Sequence, residues 1–128
     1  MVQFDAAAPV KVYSPPQDFT STLYVNSSII SADFYALLKK GGYMYIVVAD
    51  DDASFREMLA VSLERSGHEV ESAADGIELL KIAFRKKPDL IITDLDMPNM
   101  TGDLAVAVVN VHPKLRKVPV IVMTGSGR

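Results

Sequence analysis

Pro88 to Gly102 reads PDLIITDLDMPNMTG. Within it, Leu90, Ile91 and Ile92 form a short apolar run between Pro88 and the turn residues Pro98, Asn99 and Gly102, the pattern of a fully buried strand. Asp94 stands at the carboxyl end of that strand. In open parallel α/β sheets the loops leaving this end converge on the ligand site, so a carboxylate there is open to solvent yet held by a rigid element. Taken alone, an aspartate closing a strand is also a common turn former or helix cap.

A second acidic group upstream shifts that balance. Tyr45 to Ala49 is another continuous apolar run, and Asp50, Asp51 and Asp52 end it abruptly. If the two strands are parallel neighbours, three or four carboxylates crowd one edge, where like charges repel unless a cation neutralises them. Oxygen ligands with no cysteine or histidine among them favour a hard cation, Mg2+ or Mn2+, which keeps waters and accepts a phosphate oxygen. A solvated helix start is the ordinary reading of such an acidic run, and the apolar strand before it argues against that.

The 128 residues suit one domain with a single core, and a 49% hydrophobic content argues for a globular chain. A net charge of -3 gives no footprint for nucleic acid or an anionic membrane. With no cysteine, neither a disulfide frame nor a zinc cluster is available. No apolar run approaches the roughly 20 residues that span a bilayer, and no basic stretch followed by an apolar core opens the chain. The expectation is a cytoplasmic protein.

Before the first clear strand, Pro15-Pro16 interrupts the chain, with short strand candidates at Val10 to Tyr13 and Thr22 to Val25. Ser31 caps a short amphipathic helix, Ala32 to Lys40, with Phe34, Leu37 and Leu38 on one face. The strand Tyr43 to Ala49 follows, then a helix from Ser54 to Ser66 ended by Gly67. His68 to Ser72 reads as a poorly apolar edge strand. Asp75 caps the next helix, Gly76 to Lys86, with Ile77, Leu80, Ala83 and Phe84 as its apolar stripe. Leu104 to Val111 holds four valines, yet its place between two buried strands calls for a crossover helix. Val118 to Met123 is the fourth strand of this series, and Thr124 closes it. His68 and His112 are solitary and read as surface residues, and the Lys114, Arg116 and Lys117 cluster is too small for nucleic acid.

Strands alternating with helices at crossover lengths give a parallel sheet covered on both faces. From Tyr45 to Thr124 the chain resembles the response-regulator receiver domain of two-component signalling. The features that carry the resemblance are Asp50-Asp51 after the first strand, the D-x-x-M-P turn of Asp94 to Pro98 with Gly102 beyond it, and Thr124 ending the fourth strand. The resemblance implies a flavodoxin-like three-layer α/β sandwich with local strand order 2-1-3-4. It implies Asp94 as phosphoacceptor, receiving a phosphoryl group from a sensor histidine kinase or phosphotransfer protein. It implies Asp51 as principal ligand of Mg2+, supported by Asp50, Asp94 and the backbone carbonyl of Asp96, and Thr124 as the hydroxyl that senses the phosphoryl group. On this reading the protein is a signalling switch and not an enzyme.

A receiver continues past this threonine with a helix, a lysine-bearing fifth strand and a last helix, whereas here Gly125-Ser126-Gly127-Arg128 follows. A fourth strand without a neighbour would be a bare edge that invites pairing. The expectation is that residues 1–42 complete or cover the sheet begun by residues 43–128: a strand from residues 10 to 26 pairs with the fourth strand, and Lys11 replaces the lysine. In the rival arrangement the fourth-strand edge pairs with a second chain in a homodimer. Two other functions stay open: a rearranged receiver acting as a non-switching interaction module, and a haloacid-dehalogenase-type phosphatase, which shares the Asp nucleophile and Mg2+. In that phosphatase family the acidic pair follows the nucleophile, whereas Asp50-Asp51 precedes Asp94.

Overall fold

Alternation of buried strands with amphipathic helices produces one parallel sheet with helices on both faces. The computed structural model describes residues 22–26 and 42–124, with Thr22–Asn26 and Thr124 as backbone. In chain order the elements are β1 (Thr22–Asn26), β2 (Tyr45–Ala49), α1 (Ala53–Arg65), β3 (Glu69–Ala73), α2 (Gly76–Arg85), β4 (Leu90–Asp94), α3 (Gly102–Val111) and β5 (Val120–Thr124). The spatial order is β1-β5-β4-β2-β3, every neighbouring pair parallel. From β2 onward this is the expected 2-1-3-4 arrangement.

Side chains alternate across the central strands, as a pleated sheet buried on both faces requires. Val47, Ile91, Val120 and Val122 join Leu79, Leu80, Ile82 and Ala83 of α2 and Ala105, Val106 and Val109 of α3 in one core. Ile46, Val48, Leu90, Ile92, Ile121 and Met123 meet Leu59 and Leu63 of α1 in the other. The three layers are therefore α1, the sheet, and α2 with α3. The valine-rich α3 is a helix because tertiary burial of Ala105, Val106 and Val109 overrides intrinsic β preference.

The strand beside β5 at its outer edge comes from the same chain. β1 pairs with β5 from Thr22↔Val120 to Asn26↔Thr124, so the edge that a homodimer through the fourth strand would use is already hydrogen-bonded. Val10 to Tyr13, the helix Ala32 to Lys40 and Lys11 lie outside the described residues.

Two readings of side-chain placement are corrected. In α2 the buried stripe runs through Leu79, Leu80, Ile82 and Ala83, while Ile77 and Phe84 are exposed; the inward face is rotated toward Leu79 because α3 and the sheet contact it there. His68 is buried, at 5% exposure, because it enters β3 beneath the start of β2, where its Nδ1 accepts the Met44 N–H at 3.1 Å. At the outer edge, Glu69 of β3 pairs with Lys86 at 3.1 Å and Glu71 with Arg85, charges that discourage further strand addition. Burial, with Oη donating to Glu71 at 3.0 Å, pushes the Tyr45 hydroxyl up to about 12.

Asp75 caps α2, its Oδ1 accepting the Glu78 N–H at 2.8 Å. That bond, with an amide hydrogen bond from Asn99, holds its carboxyl below the ordinary value of 3.8. A depressed folded pKa means that stabilisation is complete above the unfolded value and is lost as pH falls through the folded one. Asp75→Ala is accordingly expected to cost about 1 kcal/mol at neutral pH, with the deficit against wild type closing on acidification below that range, as measured by urea unfolding at stepped pH.

Candidate functional site

The register of β2 against β4 builds the site. The pairs run from Ile46↔Leu90 to Ala49↔Thr93, so one step further Asp50 and Asp94 leave the sheet side by side at its carboxyl edge. Both are nearly inaccessible, at 1% and 2% exposure, whereas Asp51 is exposed. Carboxylate oxygens of Asp50, Asp51 and Asp94 lie within 4.8 Å of one another.

Backbone contacts fix this arrangement. The Asp50 N–H donates to the Ala73 carbonyl at 3.1 Å, and its own carbonyl accepts the Arg56 guanidinium at 2.6 Å. Its Oδ1 accepts the Asp52 N–H at 2.8 Å. Asp52, the third member of the acidic run, instead caps α1 by accepting from the N–H groups of Ser54 and Phe55 at 3.0 and 3.2 Å. The ordinary reading of the run as a helix start thus holds for Asp52, while Asp50 and Asp51 join Asp94.

Asp94 is held at the end of β4, where the Thr93 hydroxyl donates to its carbonyl at 3.0 Å. The chain then turns through Leu95, whose N–H donates to Met123 of β5 at 3.2 Å and whose carbonyl accepts the Gly102 N–H at 2.9 Å. Asp96 lies exposed in this loop, and Asn99 adopts φ 66°, a left-handed conformation that asparagine tolerates. Thr124 ends β5, one register step beyond the pair Asp94↔Met123; its side chain lies outside the described residues, as does Lys11. The residue aligned with Thr124 on the neighbouring strand is Asn26.

Sequence patterns did not point to the Arg56 contact, the link from Asp75 to Asn99 or the tight approach of Gly102 to Asp94. All three are tertiary. Their only local signals are a basic residue one turn into α1, an asparagine after Pro98 and a glycine opening α3.

Chemically, the group offers hard oxygen donors only, two of them on nearly buried carboxylates whose mutual repulsion a divalent cation offsets. A rigid acidic edge with Asp51 exposed beside the nearly buried Asp50 and Asp94 can bind such a cation and present a nucleophilic carboxylate to a phosphoryl group.

A parallel α/β sheet with aspartates gathered at its carboxyl edge is the arrangement found here. The chain belongs to the response regulator receiver domain family, which it matches over residues 46–128. Its fold resembles chemotaxis response regulator CheY4 of Vibrio cholerae, with a TM-score of 0.62 and 36% identity over 66% of this chain and 70% of that one. It also resembles the receiver domain of a signal transduction histidine kinase from Syntrophus aciditrophicus, with a TM-score of 0.63 and 32% identity over 66% of this chain and 64% of that one. Among curated relatives, the CAI-1 autoinducer sensor kinase/phosphatase CqsS of Vibrio cholerae is 38% identical over 63% of this chain and 12% of its own length. The alkaline phosphatase synthesis transcriptional regulatory protein PhoP of Bacillus subtilis is 47% identical over 44% of this chain and 24% of its own. The chain spans about a third or less of the length of the curated relatives it matches. Among the described residues, no helix is long and apolar enough to cross a membrane.

Proposed function

We propose that the chain is a phosphoacceptor switch that takes a phosphoryl group onto Asp94 from a sensor histidine kinase or phosphotransfer protein. The observation that carries this reading is the convergence of Asp50, Asp51 and Asp94 within 4.8 Å at the ends of adjacent strands. Asp50, Asp51 and Asp94, with the backbone carbonyl of Asp96, would hold Mg2+. When bound, that ion neutralises charge on the transferring phosphoryl group and templates an in-line displacement. A carboxylate oxygen of Asp94 forms the new P–O bond while the P–N bond to the donor imidazole breaks, and the electron pair leaves with the imidazole. The Thr124 hydroxyl would then donate to a phosphoryl oxygen and bias β5 between two states.

Residues 1–42 complete the sheet in this reading, which the pairing of β1 with β5 supports. That pairing favours a switch over a dimerisation module that depends on a bare β5 edge. The order of the acidic pair before the nucleophile disfavours the haloacid-dehalogenase alternative.

A histidine-phosphorylated kinase carrying radiolabelled phosphate tests the partner class. Label is expected to move to the wild-type chain and not to Asp94→Asn. Equal labelling of both chains would refute the assignment of Asp94.

A further inference from the structure

Resting on the phosphoacceptor reading, we propose that Asp75, on a different loop from the aspartate cluster, is a positioning residue for it. Through Asn99 it holds the loop that follows Asp94 in the conformation the cluster needs. Asp75 divides its two oxygens between separate tasks. Oδ1 accepts the Glu78 N–H of α2, while Oδ2 accepts the Asn99 side-chain amide at 2.8 Å. A carboxylate accepting an N–H makes a stronger bond than a neutral pair does, so this exposed contact holds more firmly than a neutral one in its place.

The next residues continue the same junction. The Gly76 N–H donates to the Met100 carbonyl at 3.0 Å, and a Cβ at Gly76 would lie 2.7 Å from that oxygen. The loops after β3 and β4 therefore meet through backbone with no room for a side chain between them. The second loop is closed at its base by the Gly102 N–H donating to Leu95. Residues 96–98, including Asp96, thus run between two fixed points, the base at Leu95 and Gly102 and the tether at Asn99 and Met100, with Met97 buried in the core between them. Releasing the tether leaves Met97 as the inner anchor and loosens the outer part of the segment that follows the phosphoacceptor.

Asn99→Gly tests this role, because glycine adopts the φ 66° conformation without strain and removes the side-chain amide; the Asp75 variants, which leave residue 99 unchanged, separate loss of the amide contact from added backbone freedom. The expected result is a melting temperature lowered by no more than a few degrees, with Mg2+ affinity by calorimetry reduced roughly five- to tenfold. Amide exchange at Gly76 and Gly102, measured by NMR without metal, is expected to accelerate. Asp75→Ser keeps a hydroxyl to cap Glu78 but is too short to reach Asn99, and it should reproduce the affinity loss. Asp75→Asn restores the contact once the Asn99 amide turns over, and it should recover most of the affinity. Wild-type affinity together with unchanged exchange in Asn99→Gly would overturn the tether. A wild-type chain that accepts no phosphoryl group from acetyl phosphate would instead overturn the reading beneath it, and the metal-free exchange data separate the two failures.

Discussion

Gly102→Ala is expected to destabilise the fold by about 3 kcal/mol and to abolish phosphoryl uptake with it. An ideal Cβ on Gly102 would stand 1.8 Å from the Asp94 carbonyl oxygen and 2.9 Å from its carbon. Neither neighbour can yield cheaply. The Asp94 carbonyl already accepts the Thr93 hydroxyl, and β4 is fixed on both sides by β2 and β5. The alternative is to move the start of α3, which breaks the Gly102 N–H bond to Leu95 and draws Ala105 and Val106 from the core. The first shift displaces Asp94 itself, and the second releases the loop that follows it. Gly67→Ala provides the contrast: no atom lies within 4 Å of its added Cβ, so only the cost of φ 97° remains, about 1 kcal/mol. Denaturant unfolding of both variants measures the difference, and equal losses would show that the close approach at Gly102 is not what demands glycine there.

Asp50→Asn is expected to weaken Mg2+ binding at least tenfold, roughly the scale set by perturbing a metal site, while leaving the fold intact. Asparagine keeps an oxygen to accept the Asp52 N–H, and the backbone bonds of residue 50 to Ala73 and Arg56 do not involve its side chain. What the change removes is one negative charge from a group with oxygens within 4.8 Å of one another. The effect should therefore appear as lost cation affinity and not as a lower unfolding free energy. Calorimetric titration checks it: an unchanged dissociation constant would remove Asp50 from the cation site, and an unfolded variant would assign it a structural role instead.

Much of this architecture is legible from the chain because burial on both faces leaves a strong trace. Tyr45–Ala49 is apolar throughout and runs into Asp50, and Leu90, Ile91 and Ile92 lead through Thr93 to Asp94, so both strands and the acidic edge follow from pattern. Even the valine-rich α3 is recoverable, since a parallel neighbour requires a crossover. Strand ends are less clear: β5 runs Val120–Thr124 where apolarity alone suggests a start at Val118, which is buried in the preceding turn.

What escaped the sequence depends on contacts between distant segments. His68 carries no local sign that its Nδ1 will meet the Met44 N–H, so an isolated histidine reads as surface. In α2 several apolar residues compete for the inward face, and only the position of α3 decides for Leu79 and Ile82 over Ile77 and Phe84. The candidate site divides in the same way. Asp50, Asp51 and Asp94 are visible as strand-end carboxylates, whereas Asn99 and Asp75, 24 residues apart in sequence, meet only in the folded chain.

The assignment of Asp94 as phosphoacceptor is tested by the mass of the intact chain after incubation with acetyl phosphate, with and without Mg2+, followed by mapping of the modified residue. The expected result is a gain of a single phosphoryl group that requires Mg2+, maps to Asp94 and is absent from Asp94→Asn. An unmodified chain despite measurable Mg2+ binding, or a phosphoryl group on any other residue, would contradict it.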